Sequence, residues 1–193
     1  MPRNAALIVI DVQRAIDDPS WGERNNPQAE RNIARLLAFW RERGMPIYHV
    51  RHDSVEPRST YRPGQPGHAF KAEAAPLPGE PVIAKNTCCA FVGTKLEDRL
   101  RAAGQSTLVF AGVITNNSVE STVRVAGCLG FACYLISDAC FTFGKADWDG
   151  RFRPADEVHA MSLANLHGEY CTVTTTEQMT SACTEAPPQI RGV

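Results

Sequence analysis

Ala5-Ala6-Leu7-Ile8-Val9-Ile10 is an unbroken apolar run with no polar residue at alternate positions. A strand with one wetted face alternates apolar and polar residues, whereas a strand buried on both faces does not. The run therefore predicts the central strand of a parallel sheet. Such a sheet is stable only when helices cover both of its faces. Pro46–Val50, Pro81–Ala84, Thr107–Val113, Ala132–Ile136 and Glu169–Val173 read as five further strands. Helical stretches separate them. Residues 27–43 carry Ile33, Leu36, Leu37 and Trp40 at helical spacing, with Gly44 as the stop. Residues 94–103 carry Leu96 and Leu100, residues 118–129 end at Gly130, and residues 154–166 are expected to turn Val158, Met161 and Leu166 inward. The expected fold is α/β: a three-layer, doubly wound, mostly parallel sheet of about six strands with helices on both faces.

A length of 193 residues fits one domain of roughly 100–200 residues, and no repeat or second composition regime divides it. Residues 1–193 are read as a single domain, with a Pro-rich, polar tail over 180–193 expected to be loosely held. A net charge of −1 excludes a generally basic nucleic-acid binder. No apolar run approaches the ~20 residues of a membrane helix. Met1-Pro2-Arg3-Asn4 does not begin a secretory signal, so a cytoplasmic location is expected. The seven cysteines (Cys88, Cys89, Cys128, Cys133, Cys140, Cys171 and Cys183) are odd in number and include no CxxC pair. They read as small buried hydrophobes, not as a disulfide framework or a zinc site.

In open α/β sheets, sites form beyond the carboxyl ends of the strands. Asp11-Val12-Gln13 follows the first strand, Lys85 the third, and Ile114-Thr115-Asn116-Asn117-Ser118 the fourth, at the mouth of a helix. The sheet thus delivers a carboxylate, an ammonium and a hydroxyl to one edge: a base, a cation to orient it, and a nucleophile. Each residue alone also has a structural reading, as a loop cap, a surface charge or a helix N-terminal residue. The Pro/Gly-rich stretch from His52 to Pro81 is a long loop of the kind that often carries function. Tyr61 and Phe70 lie in it, and Trp148 lies in another loop; these aromatics either cover a small planar substrate or pack loops and a subunit interface. Arg62 and Arg151 are candidates to meet a substrate carboxylate, and His159 reads as a packing or solvent residue.

Taken in order, Leu7–Gln13, Val82–Lys85 with Ala90-Phe91 and Thr94-Lys95-Leu96, Gly112–Val119, Gly130 and Ser137-Asp138-Ala139 resemble the isochorismatase-like cysteine hydrolases, a superfamily that includes nicotinamidases and N-carbamoylsarcosine amidases. The resemblance runs from about Leu7 to Val173. It implies an Asp-Lys-Cys triad, whose first two members match Asp11 and Lys85 and whose nucleophile position is held by Ser118. It also implies a cis peptide at Val113–Ile114 and an oxyanion hole made by the N–H groups of Ile114 and Ser118. Gln13 and Phe91 match positions that line relatives' sites. A small-molecule substrate, no cofactor, and a homo-oligomer (dimer or tetramer) are further implications. Nicotinamidases carry an Asp-x-His metal pair after the second strand. Here that region reads Arg51-His52-Asp53-Ser54, with His68 downstream, so the spacing is absent and no metal is expected.

Serine at 118 changes the chemistry. A thiol of pKa ~8.5 is within reach of depression by a nearby ammonium and a helix N-terminus, and a hydroxyl is not. Three readings stand. In the first, Ser118 replaces a native cysteine and leaves an inactive or substrate-trapping form of a hydrolase of small amide, carbamoyl or ureido compounds. In the second, the serine is native and acts slowly or merely binds, as in a non-catalytic small-molecule-binding protein. In the third, the protein hydrolyses a vinyl ether of the isochorismate type with Asp11 as general acid. Thr115-Asn116 and Val119 resemble the cysteine amidase version of the motif, which favours the first.

Overall fold

In the computed structural model, which describes residues 4–182, β1 (Ala6–Ile10) is buried along its whole length. It sits inside a six-stranded sheet with β2 (Ile47–His52), β3 (Val82–Lys85), β4 (Thr107–Val113), β5 (Ala132–Phe141) and β8 (Thr172–Thr174), in the order β3-β2-β1-β4-β5-β8. Every pairing in this sheet is parallel. The strand order reverses between β1 and β4, which opens a crevice at their carboxyl ends.

The unbroken hydrophobicity of β1 has a simple cause, since its alternating side chains feed two cores. Ala6, Ile8 and Ile10 pack with Leu96 and Leu100 of α2 (Leu96–Ala102), Val123 and Ala126 of α3 (Glu120–Cys128) and Leu166 of α4 (Ala155–Leu166). Leu7 and Val9 face Ile33, Leu36, Leu37 and Trp40 of α1 (Ala29–Glu42) and Met179 of α5 (Thr176–Ala182). Trp40 is fully buried, and its indole N–H donates to the Ala5 carbonyl at 2.9 Å. Among the described residues, no helix is long and apolar enough to cross a membrane.

At Gly112, β4 presses directly onto β1. This residue pairs with Ile10 at a φ of +131°, and a Cβ there would lie 2.2 Å from the Ile10 carbonyl oxygen. Only glycine fits so close an approach. The register between β4 and β5 shifts just before this point. Asn26, itself left-handed at φ +45°, bridges the resulting bulge by donating its amide N–H groups to the carbonyls of Ser137 at 2.9 Å and Cys140 at 2.6 Å.

Four expectations need correction. Strand five continues past Ile136 to Phe141, because this bulge absorbs the polar Ser137-Asp138 pair without ending the strand. The helix expected to start at Ser118 begins instead with a π-turn, Thr115–Val119, before α3. On α4 the buried face is Ala155, His159, Ser162 and Leu166, while Met161 is 63% exposed. That helix packs on the polar groups of the π-turn, so its inward face is not its most apolar one. Residues 180–182 belong to α5, and the rest of the expected loose tail, 183–193, lies outside the described residues. A small antiparallel hairpin of β6 (Lys145–Ala146) and β7 (Phe152–Arg153) stands apart from the main sheet.

Candidate active site

Three strand ends converge on one small volume. Asp11 follows β1 at φ +54°, a left-handed conformation that is uncommon outside glycine. Its N–H donates to Val50 at 3.0 Å, and its carbonyl accepts from the Gln13 N–H at 2.8 Å, which bends the chain sharply. Lys85 is the last residue of β3, where alternation sends it to the buried side with Ile83. Ser118 lies in the π-turn that follows β4, and the Val113–Ile114 peptide bond before that turn is cis.

Lys85 Nζ is the hub. It stands 2.6 Å from Asp11 Oδ2, 3.0 Å from the Thr87 carbonyl and 3.4 Å from Ser118 Oγ. The Lys85 side chain is fully buried and that of Asp11 is 5% exposed. The other carboxylate oxygen, Asp11 Oδ1, is buried with no hydrogen-bond partner among the described residues. One oxygen is therefore held by the ammonium while the second is left as an open acceptor. Burial raises the Asp11 pKa above the ordinary carboxylate value. The Lys85 charge and hydrogen bond, with the Ser118 hydroxyl, oppose that rise without cancelling it. His52, beside Lys85 at 3.4 Å, is pushed down to about 4 by burial and then by the Lys85 charge, so its ring is neutral at pH 7.

Asp11 and Ser118 line a cavity of about 520 Å³. Ile114, Asn117, Trp21, His52, Tyr61 and Arg58 also line it. Tyr61 meets His52 edge-on at 5.6 Å. Its hydroxyl stays protonated far above pH 10, through burial and the nearby Asp11 charge. A larger depression of about 810 Å³ between α4 and the β6–β7 hairpin contains none of Asp11, Lys85 or Ser118.

Of the five expected substrate contacts, only Tyr61 lines this cavity. Gln13 is wholly buried and its amide is spent on structure. It donates to the carbonyls of His52 and His68 at 3.1 and 2.9 Å, and accepts from the His52 N–H at 2.7 Å. Phe70 packs edge-on to His49 at 5.9 Å, and Phe91 stacks on Phe131 at 6.1 Å. Trp148 is 96% exposed between β6 and β7. Neither Arg62 nor Arg151 reaches the cavity. His159 is buried and bonded to Thr115 of the π-turn that holds Ser118, so it is more than a packing residue.

Sequence reasoning missed Trp21, Arg58, Asn117 and Cys88 as wall residues. Asn117 and Cys88 were within reach of the strand-end rule, since they follow β4 and β3 directly. Trp21 stacks on Phe143 at 5.4 Å, a long-range contact with no local signal. Cys88 is the exposed thiol at the cavity, whereas burial drives Cys133 and Cys140 up to about 12 and Cys171 up to about 11. Asp53 is occupied by Arg51, at 2.7 and 3.0 Å, and by His68 at 2.8 Å. Among the described residues, no third His, Cys, Asp or Glu joins such a pair in a metal-binding arrangement.

Residues 5–178 match the isochorismatase domain family. The crystal structure of an isochorismatase-family protein from Chromobacterium violaceum superimposes with a TM-score of 0.92 at 64% identity, covering 94% of each chain. YrdC, an isochorismatase family protein of Bacillus subtilis, is 42% identical over 179 residues, covering 93% of this chain and 96% of its own. The ureidoacrylate amidohydrolase RutB of Variovorax paradoxus is 29% identical over 179 residues, covering 74% of this chain and 71% of its own.

Proposed function

The chain belongs to the isochorismatase family, and we propose that it is built to hydrolyse a small amide, carbamoyl or ureido compound by attack from position 118. One observation carries this reading: Lys85 Nζ lies within reach of both Asp11 Oδ2 and Ser118 Oγ at the edge of a cavity, while Asp11 Oδ1 is an open acceptor. Similarity to an amidohydrolase adds to it.

Each residue then has a role. Asp11 Oδ1 takes the proton of the attacking group as general base. Lys85 keeps Asp11 ionised and supports negative charge on the nucleophile. The side-chain atom of residue 118 bonds to the carbonyl carbon, and the N–H groups of Ile114 and residue 118 stabilise the oxyanion. Collapse expels the amine, which takes its proton from Asp11. Water, deprotonated by the same carboxylate, then releases the acid and frees residue 118. A raised Asp11 pKa suits a group that alternately accepts and gives a proton. None of these steps calls on a cofactor.

With serine in place, the attacking atom is a hydroxyl whose proton the Asp11–Lys85 pair removes poorly, so substrate binds and turnover is very low. The six described cysteines are all free thiols, which fits a reducing cytoplasm. Exposed Trp148, Phe152 and Met161 fit a homo-oligomer interface, a dimer or tetramer.

Ammonia release across a panel of nicotinamide, N-carbamoyl and ureido compounds tests the reading. Ser118→Cys is expected to turn over at least one of them, with the serine form about 100-fold slower or worse. No release by either form overturns it. Pyruvate release from isochorismate by the serine form would instead establish vinyl-ether hydrolysis. That second reading is favoured by one observation, an Asp11 whose raised pKa lets it serve as a general acid. Ligand binding without turnover by both forms would make the protein a binding module.

A further inference from the structure

Behind Ser118 lies a second set of buried polar groups that takes no part in the steps above. Thr115 opens the π-turn and is wholly buried, and its Oγ1 stands 2.9 Å from Nδ1 of His159 on α4. On the other side of that ring, Nε2 is 3.4 Å from the amide nitrogen of Asn26. Both hydrogens of this amide are already committed, one to the Ser137 carbonyl at 2.9 Å and one to the Cys140 carbonyl at 2.6 Å. Asn26 therefore has no proton to give the ring. The tautomer consistent with these contacts carries its hydrogen on Nε2. That leaves Nδ1 as a lone-pair acceptor, and the Thr115 hydroxyl as its donor. Burial holds the His159 pKa below the ordinary imidazole value, which favours the neutral ring. One turn further along α4, Ser162 Oγ sits 2.6 Å from Glu120 Oε2 and 3.2 Å from the Thr115 carbonyl.

We propose that His159 is the positioning residue of the nucleophile turn: its ring takes the Thr115 hydroxyl hydrogen bond at Nδ1 and so aims residue 118 at Asp11. The inference rests on the reading of residue 118 as the attacking group. It assigns the polar inward face of α4 a purpose that packing alone leaves unexplained, since Leu166 supplies that helix's fully buried apolar contact with the core. It also links the β5 bulge to the site, because Asn26, which bonds the Ser137 and Cys140 carbonyls, stands 3.4 Å from the His159 ring. A fraction of an ångström of turn movement is enough to spoil the alignment of an attacking atom with its base.

The test uses the full chain with Ser118→Cys, so that the thiol at 118 reports its own environment. Alkylation by iodoacetamide at neutral pH is followed by peptide mass spectrometry, with exposed Cys88 as the reference thiol in the same tube. Thr115→Val removes the hydroxyl at nearly constant volume, and Thr115→Ser keeps it. With Thr115→Val, alkylation at 118 is expected to slow about tenfold or more relative to Cys88, and Thr115→Ser to stay within about threefold of the parent. His159→Phe is expected to behave as Thr115→Val does. Melting curves identify any variant that has lost its fold, and the Thr115 pair remains decisive if His159→Phe is among them. An unchanged rate in Thr115→Val overturns the inference. So does equal slowing by Thr115→Ser, which would assign the effect to the methyl group. If the thiol at 118 reacts no faster than Cys88 in the parent, the reading of residue 118 as an activated nucleophile fails first, and the inference falls with it.

Discussion

Asp11 and Lys85 meet at 2.6 Å with side chains 5% and 0% exposed, an ion pair taken almost completely out of water. Such a pair gives little net stability, because desolvation of both charges offsets their attraction, but removing one partner strands the other. Lys85→Met is therefore expected to destabilise the protein by about 3–5 kcal/mol in urea unfolding at neutral pH. Adding Asp11→Asn should recover most of that loss. The penalty of Lys85→Met should also shrink as pH falls, since Asp11 then protonates in a site that has lost its counter-charge. A loss that is the same at every pH, or two additive single losses, would show that the two groups do not act as a pair.

Acid stability should be governed elsewhere, at two clamped carboxylates, Glu30 and Glu80. Burial raises the pKa of Glu30, but hydrogen bonds from Arg24, at 2.6 and 2.7 Å, and from Lys71 at 2.9 Å outweigh it and hold the group down at about 2. Glu80 is likewise held at about 2 by Arg41, the Leu77 N–H and His49 against the effect of burial. A folded pKa below the unfolded one means that the unfolded chain binds more protons in acid. The contribution is complete above the ordinary carboxylate value of 4.5 and is lost as pH falls from there through about 2. Glu30→Gln and Glu80→Gln should each flatten the stability-against-pH curve in that window and leave its slope above pH 6 unchanged.

Two glycines with positive φ should respond differently to alanine. At Gly112 the added methyl meets the Ile10 carbonyl at 2.2 Å, at the point where β1 hands over to Asp11. Gly112→Ala combines backbone strain with overpacking and is expected to cost about 2–5 kcal/mol. At Gly130 nothing lies within 4 Å of the added atom, so only the φ of +82° is strained, and about 1 kcal/mol is expected. Paired urea titrations measure both.

The cysteines give a third contrast. Cys88 and Cys128 are exposed, whereas Cys89, Cys133, Cys140 and Cys171 are buried. Brief iodoacetamide treatment of the native protein at pH 8 should label the first two and spare the other four. A cavity ligand should protect Cys88 and leave Cys128 unaffected, since only Cys88 lines the cavity. Equal protection of both would argue against a ligand seated beside Ser118.

Much of this architecture is legible in the sequence because it is local. The apolar run through Ile10 marks the sheet centre, and the residues at the strand ends place Asp11, Lys85 and Ser118 at one edge. What is illegible depends on contacts between distant segments. Gln13 has the chemistry of a ligand contact, yet its amide is consumed by His52 and His68, both about 40–55 positions away. Met161 has the spacing of a core residue, but α4 turns His159 and Ser162 inward because the π-turn offers them hydrogen bonds. The β5 bulge is concealed for the same reason, as its carbonyls are bridged by Asn26 from more than a hundred residues earlier.

Covalent attack by residue 118 is the central claim, and acid-quenched mass spectrometry of Ser118→Cys during turnover of an amide that it hydrolyses tests it most directly. The expected result is a mass increase equal to the acyl part of the substrate, mapped to residue 118 and absent when Asp11→Asn is added. Ammonia release at full rate with no adduct at 118, or with the adduct on Cys88, would contradict it.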